Sequence, residues 1–217
     1  TTNGEIGMNQ SEKKQIRKAL SLQAFLLVLT GMILLSSFFL PYAIAQGDHA
    51  DEAASLNNLI DAYELLLNEC GQPVPNGFRT LQSVDFHQIS AFNRAKVGLF
   101  FWKLTAADNT LDTLTSILVC LILCLPFLDV IIPVAIILNA LGRKPFWVLL
   151  YTATAYGDFL WQRTYLDIDN LISSGMYRPG IVLQLFPYVC AASAVLALWM
   201  WIQKASVKQK IKAARNA

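Results

Sequence analysis

Residues Asp112–Tyr165 read DTLTSILVCLILCLPFLDVIIPVAIILNALGRKPFWVLLYTATAYGDFLWQRTY. Two apolar runs flank a short basic turn, Gly142-Arg143-Lys144, and each run carries one acid deep inside it, Asp129 and Asp158. Asp129 lies 14 residues before Arg143, and Asp158 lies 15 residues after it. Two antiparallel helices joined at that turn bring both carboxyls to about the same depth. Inside a bilayer each such charge costs roughly 2.5–3.5 kcal/mol on insertion scales. A sequence that places two there uses them or buries them against partners. No Lys or Arg is expected at the depth of the two aspartates.

The rest of the chain fits that reading. Of 217 residues, 55% are hydrophobic and only 15% charged, a balance few water-soluble domains reach. Stretches 20–45, 112–141 and 181–203 are long and apolar enough to cross about 30 Å of hydrocarbon, which takes about 20 helical residues. Stretch 145–166 is a fourth span, amphipathic rather than uniformly apolar. The expected fold is all-α: a polytopic membrane protein with a four-helix transmembrane bundle and a small extracytoplasmic cap, residues 46–111. Residues 1–19, 167–180 and 204–217 form a basic N-terminal segment, a short outer loop and a basic tail. Met8 and the bases after it read like a natural start, so Thr1–Gly7 is left out of the fold argument.

Charge sets the orientation. Lys13, Lys14, Arg17 and Lys18 precede the first span, Arg143 and Lys144 fill the turn, and Lys204, Lys208, Lys210, Lys212 and Arg215 follow the last span. With four spans all of these fall on one side, which the positive-inside rule makes cytoplasmic for both termini. The expected location is the plasma (inner) membrane. Cys70 is the single cysteine in the outer loop, so no disulfide framework is implied there. Cys120 and Cys124 sit one helical turn apart without His or Asp on their face and read as small packing residues, as does Cys190.

The first span resembles a signal peptide in its basic lead and its Ala43-Ile44-Ala45 site, but its apolar run is too long for one, which favours an uncleaved helix. Gln23, Thr30 and Ser37 recur every seven residues and share a face turned to other helices. Asp48, His49, Asp51 and Glu52 read as a solvated acidic helix start rather than a cation site. An amphipathic helix is predicted over Ser55–Glu69, with Ser55 as N-cap and Leu56, Leu59, Ile60, Tyr63 and Leu67 on one face. Gly71, Pro73, Pro75 and Gly77 break it. Phe78–Leu104 alternates weakly and predicts a short β-hairpin or an interfacial segment. His87 has no partner at metal spacing.

The candidate site lies in the second and third spans. Pro126, Asp129 and Pro133 share a helical face, and each proline removes a backbone donor and frees the carbonyl four residues earlier. Freed carbonyls and water can meet an acid there, as in ion-binding broken helices. In the third span Tyr151, Thr154, Asp158, Gln162 and Tyr165 form a polar stripe that points at protein or water rather than lipid. Pro187 predicts a kink in the last span, where Ala191, Ala192, Ser193 and Ala194 permit close helix approach. Trp199, Trp201 and the lysines after them anchor the inner interface.

No P-loop, dinucleotide fingerprint, HExxH, GxSxG, CxxC or haem-attachment motif is present, and the acidic outer loop is no nucleic-acid surface. The order of parts resembles the transmembrane domain of the paraquat-inducible protein A family. The segments that carry the resemblance are LIDAYELLLNECG (Leu59–Gly71), LPFLDV (Leu125–Val130), AYGDF (Ala155–Phe159) and GMYRPGIVLQLFPYVCAA (Gly175–Ala192). It implies four spans, inside termini and a membrane partner of proteins that move phospholipid across the envelope. The chain departs from that pattern in carrying Asp129 where the family has Lys, and in lacking cysteine-rich metal ribbons.

The expected function is therefore an integral membrane transport or envelope-lipid-handling component, not an enzyme. Its polar intramembrane site is Asp129 and Asp158 with Tyr151, Thr154 and Gln162, and it needs no metal or cofactor. The alternative is a non-catalytic accessory subunit of a larger membrane complex. Expected partners are the lipid bilayer and a protein partner or a second copy, and no nucleic acid.

Overall fold

The computed structural model describes residues 10–71, 73–74, 78–107 and 125–216. The first part of the predicted second span, with Cys120 and Cys124, lies outside the described residues, as do Thr1–Gly7, Pro75 and Gly77. The chain is mostly helical and adds one small sheet. It divides into two compact units.

One unit comprises Thr1–Leu34, Ile132–Tyr156 and Tyr188–Ala217. It takes residues from α1 (Gln10–Ser36), α5 (Leu128–Leu141), α6 (Pro145–Tyr165) and α8 (Ile181–Asn216). Gly142-Arg143-Lys144 makes the tight turn between α5 and α6, with Arg143 in the left-handed region at φ 51°. Leu27, Ile136, Ala140, Val148, Ala197 and Met200 are fully buried. Gly31 lets α1 approach α5 closely: a Cβ there would lie 2.6 Å from Cγ1 of Ile137. Thr152 and Ser193 share a buried hydroxyl hydrogen bond of 3.1 Å, and Phe146 meets Trp201 edge to face at 5.9 Å.

Lys18–Ser36 and Ile181–Gln209 are helices long and apolar enough to cross a membrane. Only 33% and 28% of their apolar windows are buried, so most of that surface faces outward. Leu125–Leu141 is a shorter apolar helical stretch. α8 runs without a break through the predicted basic tail.

The other unit comprises Leu35–Ile131 and Gly157–Pro187. Its centre is a three-stranded antiparallel sheet in the order β2-β1-β3, with β1 Pro41–Ala45, β2 Gln88–Ser90 and β3 Tyr177–Pro179. Ala43 pairs with both Ile89 and Pro179, and the β1–β2 register is irregular between Pro41 and Ala43. The predicted first span was to continue helically to Ala45; α1 instead ends at Ser36, and Pro41 opens a strand, where its missing N–H costs nothing. Ala43-Ile44-Ala45 is thereby the middle of a sheet, with Ala43 fully buried.

The loop predicted between the first two spans is more ordered than expected. α2 is Asp48–Glu69 and starts before Ser55, which lies inside it rather than at its cap. Gly47 at φ 57° makes the entry, and Asp48 and Asp51 sit at the positive end of the helix dipole. His49 Nδ1 contacts Glu52 Oε2 at 2.8 Å. The hairpin expected over Phe78–Leu104 does not form. α3 (Phe78–Gln82) and α4 (Ala91–Ala107) flank β2, whose partner is the distant β1. Ala91, Ala95 and Gly98 are buried at helical spacing, which is the pattern that wins.

Ser90 caps α4, its hydroxyl accepting from the Asn93 N–H at 3.1 Å. Asn93 in turn donates to the carbonyls of Asp85 and Gln88 at 2.8 and 3.1 Å. Phe38, Ala91, Ala95 and Val130 close a small core beside them. Tyr42 stacks on Phe159, and Phe159 on Phe186, with centroids 6.1 and 4.9 Å apart. The predicted outer loop 167–180 holds α7 (Ile168–Ser173) and β3.

Candidate functional site

Asp158 and Gln162 stand one turn apart on α6, so their side chains share a face. Asp129 enters from the first turn of α5, just after a 3-10 turn Leu125–Phe127 that contains buried Pro126. Gln162 joins the two acids. Its Nε2 donates to Asp158 Oδ2 at 2.7 Å and to Asp129 Oδ2 and Oδ1 at 3.2 and 3.3 Å. Its Oε1 accepts from Arg94 Nη2. Two acid acceptors on one side and a guanidinium donor on the other fix the amide orientation.

Arg94 comes from α4, inside the segment predicted to be an outer cap. Its Nη2 lies 3.7 Å from Asp129 Oδ2, and its Cζ lies 5.6 Å from the centre of the Tyr42 ring. This corrects the expectation that no cation reaches the aspartates. The cation is absent from their own helices and arrives from a segment distant in sequence. The group is well enclosed: Gln162 is 1% exposed, Asp129 6%, and the Arg94 side chain 20%. Two acids against one guanidinium leave a formal surplus of negative charge when both are ionised. Arg94 Nε is buried with no hydrogen-bond partner among the described residues, and the buried Tyr42 hydroxyl lies against Asp129. An orphaned polar atom of this kind carries a desolvation cost that a bound group would relieve.

Arg94 also lines a cavity of about 440 Å³. Most of its wall is apolar or aromatic, including Val97, Leu125, Pro126, Trp161 and Tyr165, and Asp85, Ser90 and Asn93 add polar edges. That is the common composition of a small-molecule site: apolar walls with a few convergent polar groups. One guanidinium thus serves both the buried acids and the cavity.

Of the predicted site, the structure brings Asp129, Asp158 and Gln162 together and sets Tyr165 and Pro126 on the cavity wall. Tyr151 and Thr154 belong to the other unit. Thr154 is exposed and its hydroxyl donates to the Leu150 carbonyl at 3.0 Å, while the Tyr151 ring lies 6.2 Å from that of Trp147. Pro133 lies inside α5 and Pro187 inside α8, next to buried Phe186. Arg163, near Asp158 in sequence, pairs instead with Asp169 at 2.8 Å. Gln23, first of the predicted polar face on the first span, is 1% exposed, and neither of its amide atoms has a partner among the described residues. Sequence reading missed Arg94 and Tyr42. The one available signal was electrostatic: two acids at matched depth require a cation from somewhere. Among the described residues no group of three or more His, Cys, Asp and Glu gathers to hold a metal.

Compared with known proteins, the chain matches no family model, no curated protein and no solved structure.

Proposed function

We propose that this chain is a multi-pass membrane component that receives an amphiphile, with the polar head at Arg94 and the apolar part in the cavity beside it. The four spans are α1, the stretch 112–141, α6 and α8, and both termini face the cytoplasm. The observation that carries the reading is the sharing of Arg94 between a buried acid pair and an apolar cavity. A head that docks on Arg94 competes with Asp129 and Gln162 for the same guanidinium, so occupancy and the charge state of the acids are linked. A transport or lipid-handling step can use such a linkage between ligand and charge state. The resemblance in residues 59–192 implies the same class.

The test is photolabelling of the purified chain in lipid with a phospholipid carrying a photoreactive acyl chain. Labelling is expected to concentrate on 84–98 and 161–166. Val97→Trp fills the cavity and is expected to cut that labelling about tenfold, an effect equivalent to about 1.4 kcal/mol. Equal labelling in Val97→Trp, or labelling spread only over the outward faces of α1 and α8, contradicts the reading.

One observation supports an accessory-subunit reading beside it. α2 exposes Leu59, Tyr63, Leu65 and Leu66, and Leu59, Ile60, Tyr63 and Leu66 line a groove. An apolar face of this kind suits a protein partner. A stoichiometric partner retained after gentle extraction and released by Leu59→Glu with Leu66→Glu distinguishes that reading.

A further inference from the structure

A second groove lies at the turn between α5 and α6. Lys144 comes from that turn, and Lys204 and Lys208 come from α8, one helical turn apart. The groove measures about 590 Å³, and its remaining wall includes Leu20, Phe146, Trp201 and Val207. Among the described residues no carboxylate lines it. The geometry points to this groove as a binding site for an anionic phospholipid, its phosphate held by Lys144, Lys204 and Lys208 and its chains laid along α6 and α8.

Three features carry the assignment. First, the turn is built rather than loose. Arg143 adopts φ 51°, its guanidinium donates to Ser21 Oγ at 3.0 Å, and its carbonyl accepts from Lys204 Nζ at 2.5 Å. α1, the turn and α8 are thereby tied at one end of their unit. Second, three ammonium groups border one groove with no acid among its described lining residues, so the complementary ligand is an anion. Lysine suits a phosphate as a compact point charge, and basic pockets between helices are a known form of headgroup site. Third, the floor is aromatic, with Phe146 edge-on to Trp201, and the adjoining surface is apolar and outward-facing at Trp147, Leu150, Leu198 and Ile202. Tryptophan beside lysine at the edge of an apolar span is the signature of a bilayer interface. A free phosphate or an acidic peptide satisfies the lysines but leaves that apolar surface uncovered; a phospholipid satisfies both.

The assignment rests on the reading of α1 and α8 as membrane spans, and the experiment separates the two. The full chain is reconstituted in nanodiscs of phosphatidylcholine containing a minor fraction of phosphatidylglycerol, then released for native mass spectrometry. An alkaline carbonate wash of chain-bearing vesicles tests insertion independently. The wild-type chain is expected to retain phosphatidylglycerol over phosphatidylcholine. Lys144→Gln/Lys204→Gln/Lys208→Gln is expected to lose at least about tenfold of that preference, given how strongly each lysine near a surface attracts anionic lipid. Because Lys204 also holds the Arg143 carbonyl, Lys144→Gln/Lys208→Gln serves as a second variant that leaves the turn intact, with a smaller loss in the same direction. Glycerol phosphate, the head without chains, is not expected to compete. Equal retention of the two lipids by an inserted chain overturns the site alone. Competition by glycerol phosphate, or lysine-dependent binding of polyglutamate in preference to lipid, overturns the lipid assignment. Extraction by carbonate overturns the membrane reading itself.

Discussion

Arg94→Met is expected to destabilise the chain by about 3–5 kcal/mol, the range seen when one partner of a buried ion pair is removed. The side chain it replaces faces Asp129 at 3.7 Å and holds the Gln162 carbonyl oxygen. Methionine keeps much of the volume but leaves both acids without a cation and the Gln162 oxygen without its donor. The sign of the effect is testable by rescue. Asp129→Asn keeps the shape and removes the charge, so Arg94→Met/Asp129→Asn is expected to recover a large part of the loss. Thermal or denaturant unfolding of the four chains of this cycle in detergent gives the coupling, expected on the order of 1–3 kcal/mol. Additive losses would mean that Arg94 stabilises only its own helix. Arg94→Lys tests geometry: it keeps the charge but not the planar fork, and is expected to fall between wild type and Arg94→Met.

Gly180→Ala is expected to be strongly destabilising, the most so of the glycine-to-alanine changes at Gly31, Gly142, Gly157 and Gly180. Gly180 donates its N–H to the Tyr42 carbonyl at 2.8 Å and leaves no room above it. A Cβ would run into the Pro41 carbonyl oxygen and stand 2.6 Å from the Pro41 carbonyl carbon and 2.7 Å from that of Tyr42. These are backbone atoms of the central strand, so no side-chain rotation relieves the clash. β3 must part from β1, and Tyr42, fully buried on Phe159, moves with it. A loss of about 3 kcal/mol or more follows, since ordinary overpacking against movable side chains already costs about 1–3 kcal/mol. Gly157→Ala is the matched control. It lies on α6 beside Asp158, a Cβ there meets nothing within 4 Å, and a helical alanine gains roughly 0.5–1 kcal/mol over glycine. Circular dichroism melts of the two variants should move in opposite directions. Equal melts would mean that the β1–β3 contact is not part of the stable fold.

The acid pair was legible because it depends on local rules. Nearly equal counts on either side of Arg143, 14 and 15 residues, set the depths of Asp129 and Asp158, and the i, i+4 spacing placed Gln162 over Asp158. Arg94 and Tyr42 were not legible, because their placement depends on strand pairs between residues near 43, 89 and 179. β2 and β3 are three residues each, too short for a period of two to show. Tyr42 was hidden further by its apolar surroundings, which read as the end of a span. The polar stripe of α6 is longer than the site it contributes to. Periodicity puts Tyr151 and Thr154 on the face of Asp158 but says nothing of their partners. Thr154 settles its hydroxyl on its own helix, which leaves it no need of a cluster. The α2 start was missed because Ser55 is a good cap by type, while Gly47 and the acids after it set the real entry.

Asp129 and Asp158 meet in one site through Gln162. The decisive measurement is cross-linking of Asp129→Cys/Asp158→Cys in a background lacking Cys70, Cys120, Cys124 and Cys190, treated with a short bis-thiol reagent. One intramolecular cross-link per chain, with Gln162→Ala lowering its yield, is the predicted result. Two singly labelled cysteines, or cross-links only between chains, would contradict it.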